Sequence, residues 1–339
     1  MKLCVCHFER RRVPVAFSME RLFDDLRRAL PSDITYRLYN SRFDSKGLFA
    51  RLYNIFETRS RRGAVNHVTG DLHFLVLGLP GKDTILTVHD CGNLHRLKGF
   101  KRGLLKLLWF TWPLRHVRVV TTISEATKHE LMTLVGGRAL DIRVIPNCVS
   151  KEFVHTPLEP QTGFVRVLMV GTKPNKNIER MTVALAGLPV KVEVVGILTQ
   201  PQRDLFALHE VPLCELGYIS NSEVEEVYRR CDVLAFCSTL EGFGMPVLEA
   251  QATGRPVVTS TISSLPEVAG DAACLVDPFD VDAIRAGFKR VVEDLDYRDE
   301  LIAKGLVNAA RYTPERIAEQ YAAIYREVAK SPKSRKLDL

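Results

Sequence analysis

The chain of 339 residues is predicted to be an α/β protein with two doubly wound parallel sheets. In both halves, short apolar runs alternate with helical patterns of roughly 10–15 residues, as in βαβ units. The length is that of two ordinary domains rather than one. The segment 148–163 carries two prolines and a glycine but no periodicity, so we place the break between the domains near it.

Each apolar run is a candidate strand. The first half has such runs at 2–8, 64–70, 83–90, 116–124 and 142–147, and the second half at 164–171, 191–196, 214–219, 232–238, 256–260 and 273–278. The helical patterns between them include 18–30, 124–136, 177–187, 221–231 and 282–294. We therefore expect Rossmann-like domains at 1–155 and 156–315. Residues 316–339 are expected to form a C-terminal helix that packs back toward the first domain, followed by a solvated basic tail.

The charge is divided unequally between the halves. Residues 1–150 contain 25 Lys and Arg against 13 Asp and Glu, a net charge of +12. The remainder contains 22 against 27, a net charge of −5. The first half is therefore expected to meet something anionic: a membrane surface, a phosphorylated acceptor or nucleic acid.

The eight cysteines indicate neither a disulfide framework nor a zinc site. They form no pair of CxxC motifs, and most stand among apolar residues, so we expect reduced, packed thiols. No run approaches the roughly 18 apolar residues that span a bilayer. The N-terminus lacks the form of a secretory signal, and the expected compartment is the cytoplasm.

The sequence EGFGMPVLEA at 241–250 contains the residues that indicate a ligand-binding site. It follows a predicted buried strand, and a helix is expected to begin near Pro246. Gly242 and Gly244 allow backbone N–H groups to approach a ligand closely, and the helix start attracts anions. In an open parallel sheet, ligands bind beyond the carboxyl ends of the strands, where this turn is expected.

Two carboxylates flank this turn. Glu241 lies in the turn itself, and Glu249 lies roughly 5–6 Å along the helix that follows. A carboxylate can accept two hydrogen bonds from a vicinal diol. An anion site between two diol acceptors fits a sugar, a diphosphate and a ribose, the outline of a nucleotide-sugar. The alternative is a helix-start glutamate beside a solvated surface glutamate.

Residues 241–278 resemble the signature region of the retaining GT-B glycosyltransferases called glycosyl transferases group 1, whose Glu-x7-Glu motif is matched by Glu241 and Glu249. The similarity extends to 169–179, 216–244, 88–90, 121–131 and 144–147. It implies the GT-B fold, two doubly wound Rossmann-like domains facing a central cleft. It also implies that a hexose is transferred, with retention of configuration, from a UDP- or GDP-sugar to a hydroxyl of a glycan or lipid-linked acceptor. The implied reaction needs neither a metal nor a cofactor and belongs to cell-surface polysaccharide or glycolipid biosynthesis.

The resemblance also implies roles for individual residues. Glu249 would hold the ribose hydroxyls, and Glu241 would hold the donor sugar and diphosphate together with the N–H groups of Gly242, Phe243, Gly244 and Met245. Lys176, in the loop after Gly171, would pair with the diphosphate. His89 would approach the donor sugar from the first domain, and Tyr218 and Ile219 would contact the nucleobase. The implied catalytic residues are Glu241, His89 and Lys176.

The chain departs from the family pattern in two basic loops. Thr172 stands where many relatives have an arginine, so either Lys173 replaces it or Lys176 alone carries the phosphate charge. The loop at 8–20 lacks the paired glycines of many relatives. Its Arg10, Arg11 and Arg12 either contact an anionic acceptor or form a solvated turn.

The implied chemistry is charge stabilisation, because negative charge develops on the leaving diphosphate. The resemblance implies attack from the same face, with a phosphate oxygen taking the acceptor proton, and Glu241 as a binding and electrostatic residue. No metal is expected. The pattern Asp280-Val281-Asp282 is interpreted as a helix N-cap, and the histidines lack metal-ligand spacing.

Residues 96–116 combine leucine, tryptophan and phenylalanine with basic residues. This composition suits a helix lying on an anionic bilayer, at the inner face of the membrane, but also a core helix with a basic outer face.

Other classes fit less well. An oxidoreductase would need GxGxxG after an early strand, and no nucleic-acid-binding signature is present, so no nucleic acid is expected. A nucleotide-sugar epimerase of GT-B fold and a non-catalytic nucleotide-binding family member remain alternatives.

Overall fold

The computed structural model describes residues 2–11, 18–44, 47–95, 97–136, 141–157 and 163–330. The chain forms two compact units, Met1–Cys148 with Pro314–Leu339, and Val149–Thr313. The divisions thus fall at 148/149 and 313/314, a few residues before the predicted boundaries at 155 and 315.

The first unit contains a six-stranded parallel sheet. Its strands are β1 (Leu3–Glu9), β2 (Ile34–Asn40), β3 (Val65–Val68), β4 (Thr84–Val88), β5 (Val119–Thr122) and β6 (Ile142–Val144). They are ordered β2-β1-β3-β4-β5-β6. Strands β3, β4 and β5 are buried throughout, as expected of parallel strands that are covered on both faces.

The helices described between these strands are α1 (Ser18–Arg28), α2 (Leu48–Ser60), α3 (Gly92–His95), α4 (Gly99–Leu105), α5 (Trp112–His116) and α6 (Glu125–Val135). Two 3-10 helices cover His73–Gly78 and Gly81–Asp83, and a π-helix at Lys106–Thr111 joins α4 to α5. Helix α6 begins at an N-cap, where the Ser124 hydroxyl accepts from the Thr127 N–H, and ends at Gly136 with a φ of +79°.

The second unit contains another six-stranded parallel sheet. Its strands are β7 (Val165–Val170), β8 (Val190–Val195), β9 (Leu213–Gly217), β10 (Val233–Phe236), β11 (Val257–Ser260) and β12 (Cys274–Val276). Its helices are α7 (Ile178–Leu185), α8 (Gln200–Leu208), α9 (Asn221–Arg230), α10 (Met245–Thr253), α11 (Leu265–Ala269), α12 (Val281–Glu293) and α13 (Leu295–Ala309), with 3-10 helices at Pro174–Lys176 and Ala310–Tyr312.

The strand order of this sheet is β12-β11-β10-β7-β8-β9. The chain proceeds outward from β7 through β8 to β9, and then returns to place β10 on the other side of β7. The carboxyl ends of β7 and β10 therefore form the topological switch point, where doubly wound sheets bind ligands.

The last described helix, α14 (Pro314–Ala329), belongs to the first unit. It buries Ile317, Tyr321 and Tyr325 in a core that also contains Val5 and Phe23. The Tyr325 hydroxyl lies 2.7 Å from Nδ1 of His67, whose Nε2 lies 2.7 Å from the Thr87 hydroxyl. The tail at 331–339 lies outside the described residues.

The predicted fold class is confirmed, because both units carry doubly wound parallel sheets. Strand β2 was not predicted. Among the described strands it pairs with β1 alone, at the edge of the sheet, and most of its side chains are at least partly exposed. The eight cysteines are free thiols, as predicted. Among the helices that the structure describes, none combines the length and the apolar character needed to cross a bilayer.

Candidate functional site

Two loops meet at the switch point of the second sheet. The loop after β7 contains the 3-10 helix Pro174–Lys176, and the loop after β10 leads into α10. The Thr239 N–H donates to the Asn175 carbonyl at 2.8 Å, and the Asn175 amide donates to the Leu240 carbonyl at 2.9 Å. These bonds hold the two loops in a fixed register at the carboxyl edge of the sheet.

Lys176 and Glu241 form an ion pair across these loops. The Lys176 ammonium lies 2.6 Å from Oε1 of Glu241, and the two side chains are only 17% and 14% exposed. The same ammonium lies 4.4 Å from the centroid of the Phe236 ring, in cation–π contact. The predicted diphosphate partner and the predicted sugar partner are thus brought together.

Two glycines are required by this geometry. Gly171 has a φ of +87°, and a Cβ there would lie 3.0 Å from Cε of Lys176, which runs back across it. Gly244 has a φ of +109°, and a Cβ there would lie 2.6 Å from Cδ2 of Leu265. Side chains are strained at such φ values, so glycine allows both turns.

The turn before α10 is held by two serines that no pattern in the sequence indicates. The Ser263 hydroxyl accepts from the Glu241 N–H at 3.0 Å and donates to the Glu241 carbonyl at 2.7 Å. The Ser264 hydroxyl lies within hydrogen-bond distance of the Glu241 and Phe243 carbonyls. Ser263 has a φ of +64°, a backbone conformation that costs energy for a residue with a side chain.

Asn177 ties three loops together and was also missed. Its side-chain amide donates to the carbonyls of Cys237 and Pro278, at 3.0 and 2.7 Å. The residue is buried and has a φ of +61°, which asparagine tolerates better than most residues. The loops after β7, β10 and β12 are thereby fixed relative to one another.

Glu249 lies within α10, whose first turn contains Pro246 and whose N-cap is Gly244. The buried Tyr228 hydroxyl donates to Oε2 of Glu249 at 2.8 Å. Burial raises the pKa of Tyr228 well above its ordinary value, and the Glu249 charge adds to this. The phenol therefore remains protonated and can orient the carboxylate.

Arg255 is only 1% exposed and stabilises the backbone around Tyr228. Its guanidinium donates to the carbonyls of Tyr228, Arg229 and Thr156. Tyr228 and Arg229 lie in the last turn of α9, where a cation is favoured by the helix dipole. Burial lowers the pKa of Arg255. No pattern in the sequence pointed to this arginine.

The other predicted donor residues lie along the same edge of the sheet. Lys173 is exposed, immediately before the 3-10 helix that contains Lys176. Tyr218, 72% exposed, and Ile219 follow β9, two strands from β7. Gly242 and Phe243 lie in the turn before α10, and Met245 is the first residue of the helix.

The remaining predicted residues belong to the first unit. His89 follows β4, and its Nε2 donates to the Thr69 carbonyl at 2.7 Å, which fixes the proton on that nitrogen. Arg10 pairs with Glu20, with Nε 2.7 Å from Oε1, and borders a small recess that Thr69 also lines. Arg11 is exposed, and Arg12 lies outside the described residues.

The described residues contain no cluster of three or more His, Cys, Asp or Glu side chains that could hold a metal ion. The Asp280 side chain accepts from the N–H groups of Asp282 and Ala283, at 2.9 and 3.1 Å. It caps α12, so the predicted N-cap role of Asp280 is confirmed.

Two family models match this chain. The model described as Glycosyl transferases group 1 matches residues 151–306, and the model described as Glycosyltransferase Family 4 matches residues 11–153. Among curated proteins, O-antigen chain mannosyltransferase B of Escherichia coli is 29% identical over 230 residues. The match covers 62% of this chain and 60% of that relative, so the chain spans less than two-thirds of its length.

Solved structures match nearly the whole chain. Sucrose-phosphate synthase of Thermosynechococcus elongatus matches with a TM-score of 0.78 and 16% identity, covering 96% of this chain and 99% of that one. HepE of Anabaena, in complex with UDP and glucose, matches with a TM-score of 0.75 and 14% identity, covering 96% and 100%. These likenesses and the two parallel sheets define the GT-B fold. The chain belongs to the group 1 glycosyltransferases.

Proposed function

We propose that this protein is a retaining hexosyltransferase that moves a sugar from a UDP- or GDP-sugar to a hydroxyl of a glycan or lipid-linked acceptor. One observation carries the proposal: the Lys176–Glu241 ion pair lies at the switch point of the second sheet. In this proposal, the Lys176 cation binds the diphosphate and the neighbouring Glu241 carboxylate binds the sugar.

The remaining donor contacts follow along α10. The helix start and its N–H groups attract the diphosphate. Glu249, four residues after Met245, lies about 6 Å further along the helix axis. That is the spacing at which a carboxylate reaches the ribose of a nucleotide whose diphosphate lies at the helix start. Tyr218 and Ile219 are proposed to contact the base.

In the proposed reaction, the bond between the sugar and the diphosphate breaks as the acceptor hydroxyl forms its bond on the same face. Negative charge then develops on the leaving phosphate, which takes the acceptor proton. Lys176 and the helix start stabilise that charge. Glu241 binds the sugar hydroxyls and adds electrostatic stabilisation to the positive sugar ring. Neither a metal nor a cofactor is part of this scheme.

The relatives narrow the proposed substrates. An O-antigen mannosyltransferase supports mannose as the hexose and a cell-surface polysaccharide as the product. The complex of HepE with UDP and glucose supports a nucleoside diphosphate at the donor site. Arg10 and Arg11 are proposed for the acceptor side, and His89 is proposed to approach the donor sugar from the first domain. The proposed location is the cytoplasmic face of the membrane, with residues 96–116 against the lipid.

Product analysis tests the proposal. The enzyme is incubated with GDP-mannose or with UDP-hexoses and a set of glycan and lipid-linked acceptors, and the products are followed by mass spectrometry and NMR. The expected product carries the hexose in the anomeric configuration of the donor. An isomerised donor without transfer would indicate an epimerase, an inverted product would exclude retention, and bound but unchanged donor would indicate a non-catalytic member.

A further inference from the structure

Helix α2 places its apolar and polar residues on unexpected sides. Its buried residues are the polar Asn54 and Thr58. The Asn54 amide donates to the Phe43 carbonyl at 2.9 Å, and the Thr58 hydroxyl lies 3.5 Å from the Leu75 carbonyl of the 3-10 helix His73–Gly78. These polar contacts lie on the side of α2 that most surface helices make apolar, and the partly buried Ile55 also packs against the core.

The outer side of α2 is apolar. Phe49 is 88% exposed, Phe56 is 74% exposed, and Leu48 and Leu52 are more than half exposed. Spacings of three, four and seven residues place 49, 52 and 56 along one stripe of the helix. An exposed patch of this kind marks an interaction surface, because ordinary surface helices do not expose contiguous large apolar side chains.

A second exposed apolar segment adjoins α2. In residues 97–116, Phe100 is 84% exposed, and Leu104 and Trp112 are nearly half exposed. The Arg51 guanidinium of α2 lies 4.7 Å from the centroid of the Trp109 ring. The two segments therefore belong to one surface of the first unit, which we call the aromatic-basic face (residues 48–62 and 97–116).

The net charge of the aromatic-basic face is positive. No Asp or Glu occurs between Asp90 and Glu125 in the sequence, whereas Lys98, Lys101, Arg102 and Lys106 are exposed there. On α2 the single acid, Glu57, lies 2.7 Å from Arg61 and is neutralised by it. Arg59 and Arg62 are exposed beside the apolar stripe.

We propose that the aromatic-basic face docks on an anionic lipid bilayer, with Phe49 and Phe56 of α2 entering the acyl boundary and the lysines and arginines contacting lipid phosphates. This rests on the membrane contact proposed above for residues 96–116 and adds α2 as a second, independent anchor. Protruding aromatic side chains beside several basic residues are the pattern of interfacial helices. A protein partner would need its own apolar surface, bordered by acidic residues, to match this face.

The test uses the full chain and sedimentation with phosphatidylcholine vesicles, with and without phosphatidylglycerol. The double variant Phe49→Ser and Phe56→Ser is expected to lose about tenfold or more in binding to the anionic vesicles. The double variant Arg59→Gln and Arg62→Gln is expected to weaken binding at low salt more than at high salt. The matched control is Phe164→Ser, which removes an exposed aromatic side chain from the second unit.

Thermal unfolding and binding of UDP and GDP are measured on the same preparations. Both are expected to be unchanged in the Phe49→Ser and Phe56→Ser variant, because its side chains are exposed and lie outside the donor site. Unchanged sedimentation of this variant, or an equal loss in Phe164→Ser, would overturn the proposal. A variant that dissociates from a dimer on gel filtration would assign the face to self-association instead. If neither the natural protein nor any variant bound UDP or GDP, the result would count against the proposed donor site. The sedimentation result would still test membrane docking, because it does not depend on nucleotide binding.

Discussion

The Lys176 ammonium lies 2.6 Å from the Glu241 carboxylate, at the edge where two loops of the second sheet meet. Neither group is fully exposed, and the ammonium also contacts the Phe236 ring. A bound diphosphate would take over the lysine, and the sugar hydroxyls would take over the glutamate. In this account, the ion pair preserves the geometry of the site until a donor replaces it.

Replacing Lys176 by methionine is expected to lower kcat/KM for sugar transfer by about 10²–10³-fold. Charge on the leaving diphosphate would lose one preorganised partner, which is worth about 3–4 kcal/mol in comparable sites. Steady-state kinetics with the donor found by product analysis would measure the effect. The matched control is Lys173→Met, which removes an exposed lysine from the same loop. A larger loss in the control would assign the phosphate contact to Lys173.

Tyr228→Phe is expected to weaken nucleoside diphosphate binding by about tenfold. The variant removes a charge-assisted hydrogen bond to Glu249, which is worth about 1.5–3 kcal/mol, and leaves the carboxylate less well oriented toward the ribose. Titration calorimetry compares the ribonucleotide with its 2′,3′-dideoxy analogue. The loss is expected for the first ligand only. Equal losses for both ligands would show that Tyr228 acts on the fold rather than on ribose recognition.

Gly244→Ala is expected to lower the free energy of unfolding of the protein by about 2 kcal/mol or more. The new Cβ would lie 2.6 Å from Leu265 at a φ of +109°. Gly187→Ala is the control, since its φ is +69° and no atom lies within 4 Å of the added carbon. The expected loss there is about 1 kcal/mol. Urea unfolding measures both variants, and equal losses would contradict the close approach to Leu265.

Acid is expected to destabilise the first unit through two buried histidines. Burial, aided by the nearby Arg27 charge, lowers the pKa of His7 to about 3, and burial lowers that of His67 well below 6.5. The unfolded chain binds these protons near pH 6.5 and the folded chain does not. The free energy of unfolding therefore falls with pH below about 6.5, by about 1.4 kcal/mol per pH unit for each histidine.

The check is urea unfolding between pH 7.5 and pH 4.5, on the natural protein and His7→Phe. Nδ1 of His7 is buried and has no hydrogen-bond partner. The substitution replaces this imidazole, which is protonated in the unfolded chain at low pH, by a ring that cannot titrate. A shallower pH dependence in the variant is expected. An identical slope would mean that His7 becomes protonated without unfolding.

The parts of the protein that could be predicted from the sequence are those in which consecutive residues of one strand or one motif form a distinctive pattern. Strand β10 is a continuous buried apolar run, and both glutamates of the Glu-x7-Glu spacing lie in one short stretch of sequence, Glu241 in the turn before α10 and Glu249 in that helix. Strand β2 was missed because an edge strand with exposed tyrosine and arginine side chains has little apolar contrast. The exposed face of α2 was missed for a related reason, since its apolar residues resemble a core pattern until burial is known.

The supports of the site were not predictable because they join distant parts of the chain. Asn177 binds carbonyls 60 and 101 residues away, and Ser263 returns to Glu241. Arg255 reaches the end of α9 only because β11 brings the chain back beside it. Such roles depend on strand order, which short sequence patterns do not encode.

The most direct test of the central claim, a nucleotide-sugar site at the carboxyl edge of the second sheet, is a thermal-shift panel. The ligands are UDP, GDP, ADP, TDP and NAD, and the proteins are the natural chain and Glu249→Ala. The account predicts that one of UDP and GDP raises the melting temperature of the natural protein and that this rise is lost in the variant, because a ligand of the folded state stabilises it. No shift with any nucleoside diphosphate, or a shift with NAD alone, would contradict the account.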